Sequence, residues 1–190
     1  MKRGFDSYIG LEAEASGLRT YHPQVIPGLL QTEAYARAVI TATALGSVDD
    51  EAMAEKLTVR LSRQQLLTRQ PPFRVHAILD EAVLRRTVGS PATMAEQCRH
   101  LIQLRQSLPH VTVQVLPFTA GAHAALDGAF NILEFPVSTD PDIVYLEQAQ
   151  SGLVLEDPHE LSSYTARFQS LADLALSPDE SRDLIATLSA

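Results

Sequence analysis

Four residues of this sequence could carry protons at a reaction centre: Glu12, Glu81, Tyr145 and Glu147. In "DIVYLE" a strand places Ile143, Tyr145 and Glu147 on one face and Val144 and Leu146 on the other, with the Tyr145 and Glu147 side chains about 7 Å apart. Under helices, such a glutamate is either paired or has a raised pKa suited to general acid–base work. Facing water, both groups are ordinary surface residues. The stretch "RLSRQQLL" adds Arg60, Arg63 and Gln64. As a helix, Gln64 falls within the apolar stripe Met53, Leu57 and Leu61, Arg60 lies on its edge and Arg63 further round. A buried guanidinium requires a carboxylate partner, for which Glu12 and Glu81 are the candidates. An Arg–Glu pair joining helices fits this pattern, and so does a clamp on a ligand carboxylate or phosphate.

A third group lies in "VIPGLLQTEAYARAV". A Pro-Gly turn followed by helix formers accounts for Pro27, Gly28, Leu29, Leu30 and Ala36. It leaves Gln31, Thr32 and Tyr35 as neutral donors and acceptors at a helix start, where free N–H groups suit polar ligands. Arg85 and His123 complete the candidate ligand-binding set. No metal or cofactor is expected. The six histidines (22, 76, 100, 110, 123, 159) are scattered, and His123 and Asp127 of "HAALD" sit among glycines that disfavour a helical ligand pair. Glycine-rich nucleotide loops, HExxH, CxxC and GxSxG are all missing from the sequence. Cys98 reads as a packed thiol.

The elements that must position these groups alternate in type along the chain. "YIGLEAEASGL" reads as a short helix stopping at Gly17, and Pro23 and Pro27-Gly28 bracket an extended "QVI". A helix is expected from Leu29 through "LLQTEAYARAVITATAL", with Leu29, Ala36 and Ile40 on one stripe and Gln31 and Tyr35 on another. The next starts at a Ser47 N-cap, with Asp50 three residues on, and runs to about Arg69 before Pro71-Pro72. "FRVHAILD" alternates as a half-buried strand, "DEAVLRRTVG" is a short helix, and "SPATMAEQCRHLIQLRQSL" a longer one ending before Pro109. Four strands follow: "VTVQVLP", "GAFNILEFP", "DIVYLEQ" and "SGLVLED". Their short connections argue a mainly antiparallel sheet. Two helices, "DPHELSSYTARFQSLADLAL" and "SPDESRDLIATLSA", finish the chain. The expected fold class is α+β, a single domain over residues 1–190 with several helices packed on that sheet.

The 190 residues suit one domain, and 45% hydrophobic against 20% charged is an ordinary globular balance. With 15 Lys+Arg against 23 Asp+Glu, the formal charge of −8 opposes direct nucleic-acid binding. One cysteine fits a reducing cytoplasm, and no apolar run reaches the ~20 residues of a membrane helix.

The blocks "YIGLEAEASGL", "VIPGLLQTEAYARAVI", "RLSRQQLL", "ILDEAVLRRTVGS", "VTVQVLPFTAGAH", "GAFNILEFP", "IVYLEQ" and "LADLALSPDESRDLI" occur in this order. Together they resemble the C-terminal, antitoxin-like domain of actinomycete helix-turn-helix regulators of the XRE type. That resemblance covers nearly the whole chain. It implies the sensing and dimerising half of a transcriptional regulator, whose genes often neighbour a small partner protein. Such regulators usually carry a DNA-binding module ahead of this region, and here the sequence begins almost directly at "YIGLE".

Three functions are therefore expected in order. First comes a cytoplasmic domain, able to form a homodimer, that binds a small molecule or a small protein partner without chemistry of its own. Its pocket would draw on Glu12, Gln31, Tyr35, Arg60, Arg63 and Glu81. Second is a cofactor-independent enzyme of specialised metabolism, a cyclase, dehydratase or isomerase, with Glu12, Glu81, Tyr145 and Glu147 moving protons. Third is an interaction scaffold with an exposed apolar patch.

Overall fold

In the computed structural model, residues 5–44, 49–136, 141–148 and 151–188 are described; the expected Ser47 cap lies outside them. The elements run α1 (Phe5–Glu14), β1 (Gly17–His22), α2 (Glu33–Thr43), α3 (Asp50–Ser62), β2 (Arg74–Asp80), α4 (Glu81–Arg85), α5 (Pro91–Ser107), β3 (Val111–Leu116), β4 (Phe130–Glu134), β5 (Ile143–Glu147), β6 (Gly152–Leu155), α6 (Pro158–Leu174) and α7 (Pro178–Leu188). Six strands form one sheet in the order β3-β2-β1-β4-β5-β6. The fold is α+β.

The sheet is mixed. β1 pairs with β2, and β2 with β3, in parallel, whereas β1–β4, β4–β5 and β5–β6 are antiparallel. The antiparallel half follows from short connections. The parallel half follows from crossovers that carry α2 and α3 between β1 and β2, and α4 and α5 between β2 and β3. The first helix ends at Glu14, and Gly17 opens a strand rather than closing a helix. A Cβ at Gly17 would stand 3.2 Å from the Arg74 carbonyl oxygen, so the close approach of β1 to β2 favours glycine there.

The two sheet faces differ. Leu18, Val75, Ala77, Leu79, Val113, Val115, Leu133, Ile143 and Tyr145 meet α1, α2, α5 and α7 through residues such as Tyr8, Tyr35, Cys98, Leu101 and Ile185. On the opposite face Tyr21, Ile78, Phe130, Ile132 and Val144 are covered by Phe168 and Leu171 of α6. Apolar cover on both faces explains why Ile78 is fully buried in a strand expected to be half-buried. A smaller cluster of Ala36, Ile40 and Leu57, with Met53 and Leu61 against it, locks α2 to α3.

The outer edge of β3 is closed by the C-terminal helices. The Val115 N–H donates to Ser181 Oγ at 2.9 Å, and the Val115 carbonyl accepts from the Leu176 N–H at 2.9 Å.

Between β1 and α2, residues 26–32 are largely buried without being α-helix or strand. Ile26, Leu29 and Leu30 are in the core, and Gln31 is 2% exposed. The expected helix from Leu29 is a short 3-10 turn, Gly28–Leu30, followed by an extended Gln31. The α-helix starts only at Glu33, because the Thr32 hydroxyl caps it by accepting from the Tyr35 N–H at 3.3 Å. Backbone groups in such a segment must find partners, since an unpaired buried one costs about as much as a lost hydrogen bond. Glutamine amides supply them. Gln97 of α5, wholly buried, accepts from the Thr32 N–H and donates to the Leu30 carbonyl, both at 2.7 Å. Gln31 donates to the Ile26 carbonyl at 2.7 Å, and Gln64 donates to the Gln31 carbonyl at 2.7 Å and to that of Gly28 at 3.3 Å. Tyr35 accepts from the Ile26 N–H at 3.3 Å. Substituting Gln97→Leu keeps the volume roughly constant and orphans two buried backbone groups, so a loss of about 3 kcal/mol in urea denaturation is expected. A loss under about 1 kcal/mol would show that the amide bridge is dispensable.

Candidate functional site

The polar side chains converge at one end of the sheet, where β1, β5 and the start of β4 meet α1 and the α3 terminus. Strand alternation aims Thr20, His22, Asn131, Tyr145 and Glu147 at the helix-rich face. Tyr8 and Glu12, one helical turn apart on α1, come down onto them. Arg60 lies in the last turn of α3, and Arg63 and Gln64 belong to the 3-10 segment that continues it, Arg63–Thr68.

Glu12 and Arg63 form the centre of the cluster. Arg63 Nε donates to Glu12 Oε2 and Arg63 Nη2 to Oε1, each at 2.7 Å, with 0% of the Glu12 side chain and 11% of the Arg63 side chain exposed. Tyr8 donates to Glu12 Oε1 at 2.8 Å. Burial alone would lower the Arg63 pKa, but the hydrogen bonds and charge of Glu12 outweigh it and raise it further. Burial and the Glu12 carboxylate together hold the Tyr8 phenol well above its ordinary range. The Tyr8 ring stacks on Tyr145 at 4.2 Å between centroids, and Arg63 lies over the Tyr8 ring at 5.4 Å. Tyr145 is pushed up to about 12 by burial and by Glu147. It fits only because β6 carries glycine beside it: a Cβ on Gly152 would collide with the Tyr145 phenol.

Arg60 stands differently. Its Nη1 donates to Gln31 Oε1 at 3.0 Å, and it makes no ion pair within the described residues. Burial, then the like charge of Arg63, lowers its pKa, while Glu147 acts the other way. Glu147 itself is exposed at the end of β5. His22 lies between these groups. Burial lowers its pKa from 6.5 to about 4, against the opposing pull of Glu147 and of a hydrogen bond with the Asn131 side chain. Asn131 Oδ1 in turn accepts from Thr20 Oγ1 at 2.6 Å. The ring is therefore neutral at pH 7.

The sequence expectations divide on this geometry. Glu12, Gln31, Arg60, Arg63, Gln64, Tyr145 and Glu147 are brought together. Thr32 and Tyr35 are near but engaged in capping and in holding the buried segment. Glu81, Arg85 and His123 lie elsewhere, around the β2–α4 junction. Glu81 Oε1 accepts from Arg85 Nε at 2.6 Å and Oε2 from the Phe118 N–H at 2.8 Å. Burial works against the Glu81 charge, but the Phe118 N–H and Arg85 hold its carboxyl below the usual range, which corrects its expected place as an acid and as a partner of Arg60 or Arg63. His123 Nδ1 accepts from the Ala125 N–H at 3.2 Å, so its Nε2 carries the proton and faces the Tyr21 hydroxyl at 3.3 Å; Asp127 pairs instead with Arg167. Among the described residues, no group of three or more His, Cys, Asp or Glu is placed to hold a metal ion. Tyr8, His22, Thr20 and Asn131 were not foreseen. The alternation Leu18, Thr20, His22 within "GLRTYH" is the one signal that could have found His22.

A family model described as a domain of unknown function (DUF5753) matches residues 5–187, so the chain belongs to that family. No curated protein matches the sequence. Among the described residues, no helix is long and apolar enough to cross a membrane.

Removing one partner of the buried pair leaves an uncompensated charge, so Glu12→Gln should cost about 3–5 kcal/mol in chemical denaturation. Glu12→Leu combined with Arg63→Met should cost less than either single change; equal or additive losses would contradict the pairing. For His22 the sign follows from its depressed pKa. The unfolded chain takes up a proton below about 6.5 and the folded chain only near 4, so stability present at pH 7 is lost as pH falls through that window. His22→Gln should flatten the fall by roughly 1–2 kcal/mol, leaving the part due to His76 and His100, which burial also depresses. An unchanged slope would place a solvated ring at position 22.

Proposed function

We propose that this DUF5753 chain is a small-molecule-binding regulatory domain, of the kind that XRE-type transcriptional regulators carry beside their DNA-reading module, and that it acts in the cytoplasm without chemistry of its own. Its ligand seats at the end of the sheet between His22, Arg60, Asn131 and Glu147. The observation that carries this reading is the origin of these groups. They come from β1, β4, β5 and α3, elements far apart in sequence, and they stand beside a buried pair from α1 and the 3-10 segment. An occupant touching them bridges the helical layer to the sheet, and binding then shifts how those layers sit, which a sensor requires. The ordered blocks quoted above support the regulatory setting, and the acidic balance supports a domain that leaves nucleic-acid contact to another module.

The carboxylates do not favour acid–base catalysis. Both Glu12 oxygens are engaged by Arg63 and Tyr8, and Glu81 is held as a carboxylate by Arg85 and the Phe118 N–H.

Native mass spectrometry after incubation with a deproteinised extract of the source cells tests the reading. A small molecule released on denaturation should, at about a hundred times its Kd, raise Tm by about 5 °C or more. No bound mass and no change in Tm, with extract or with the small partner protein added, would overturn it.

A further inference from the structure

We infer that Arg60 is the seat for the carboxylate of a small monocarboxylic acid. This rests on the ligand-binding reading of the same cluster and names the chemistry of the occupant. The two arginines next to each other differ in how their charge is met. Arg63 is closed by two parallel hydrogen bonds to Glu12, which use up both that cation and that anion. Arg60 has one protein hydrogen bond, to the neutral side-chain oxygen of Gln31, and no ion pair within the described residues. Arg60 is only partly buried, and among the described residues none of its polar atoms is a fully buried donor left without a partner. Free donors on a half-buried guanidinium, open to solvent, make a site that an incoming anion can enter.

That guanidinium is also held in place. The Arg60 stem packs on Gly28, whose built Cβ would lie 3.8 Å from Arg60 Cγ, while the same point lies 3.5 Å from Arg63 Nη1. Gln31, its single acceptor, is fixed at its other end to the Ile26 carbonyl. A preorganised planar donor pair matches the two oxygens of a carboxylate.

Charge selects among anions. With Arg63 cancelled by Glu12 and His22 neutral, Arg60 is the cation left to the ligand among the described residues of the cluster, and Glu147 adds an anion at longer range that opposes a second negative charge. A dianionic phosphate is left undercompensated, whereas a singly charged carboxylate is matched. His22 and Asn131 offer hydrogen bonds without charge, which suits an acid that also bears a hydroxyl group.

The test is a titration of the intact chain, labelled with 15N, in which the Arg60 Nε–Hε resonance is followed while lactate, acetamide or inorganic phosphate is added. Lactate should shift it saturably with a Kd on the order of millimolar, and acetamide should not. Phosphate should bind at least several-fold more weakly than lactate. Arg60→Gln should weaken lactate binding, followed through the His22 ring resonances, at least tenfold. An unmoved Arg63 Nε–Hε resonance in that variant shows that the Glu12 pair, and so the fold of the cluster, is intact. Phosphate binding as tightly as lactate, or lactate binding unchanged in Arg60→Gln, overturns the inference. So does an Arg60 resonance that responds saturably to neither anion. In that last case, a neutral or cationic molecule still seen bound in native mass spectrometry leaves the sensing reading standing, and an empty chain there removes both.

Discussion

A buried stretch of irregular backbone constrains much of this structure. Residues 26–32 run beneath the helices with one short 3-10 turn and no strand ladder to satisfy them, and side-chain amides, from within the segment and from other elements, meet polar groups the turn leaves over. Gln97 fastens the segment to α5, Gln64 fastens it to the 3-10 segment after α3, and Gln31 folds back on its own loop. The spacing of α2, α3 and α5 above the sheet follows from these bridges, because each amide is wholly or partly buried and has little freedom to follow a displaced partner. The polar cluster depends on the same bridges, since the Gln31 oxygen that receives Arg60 is aimed by the hydrogen bond at the other end of its amide.

Around that segment, polarity inside the domain serves two different ends. The Glu12–Arg63–Tyr8 group is internally complete: each charge has its opposite at hydrogen-bond distance, and stacked rings exclude water from one side. It ties α1 to the end of the α3 segment. Arg60, His22 and Glu147 are next to it but are not matched within it in the same way. Two arginines one helical turn apart in the chain thus end in opposite conditions, one neutralised and one available, and the difference arises from which of them meets α1.

How much of this was legible in the sequence depended on whether a residue's meaning was local. α5 was plain from Ser90, Pro91 and the run to Leu108, and β2 to β5 from β-branched runs bounded by Gly, Pro and Asp. The α+β class followed from those. β1 was not legible, because "GLRTYH" holds few apolar residues; it is central, and Thr20 and His22 point into the cluster rather than into oil. With β1 unseen, the crossovers through α2–α3 and α4–α5 had nothing to connect, and the parallel half of the sheet was lost with it. The site was legible where one residue carried its own oddity, as with arginines and Gln64 on an apolar stripe or Tyr145 and Glu147 sharing a face. Tyr8, His22 and Asn131 are unremarkable in sequence and gain their role only once three strands lie side by side. Glu81 looked equivalent to Glu12 as a lone acid near arginines, and only the fold shows that Arg85 and the Phe118 N–H claim it.

The closure of β3 by Ser181 and Leu176 has a bearing on synthesis. The two hydrogen-bonding partners of Val115 are separated from it by up to 66 residues of sequence. During translation the strand therefore emerges well before the serine that seals it. Until then its outer N–H and C=O groups form an open ribbon able to recruit another nascent chain on the same message. α7 and the turn before it thus close the β3 edge from late in the sequence, as well as adding an apolar face to the core.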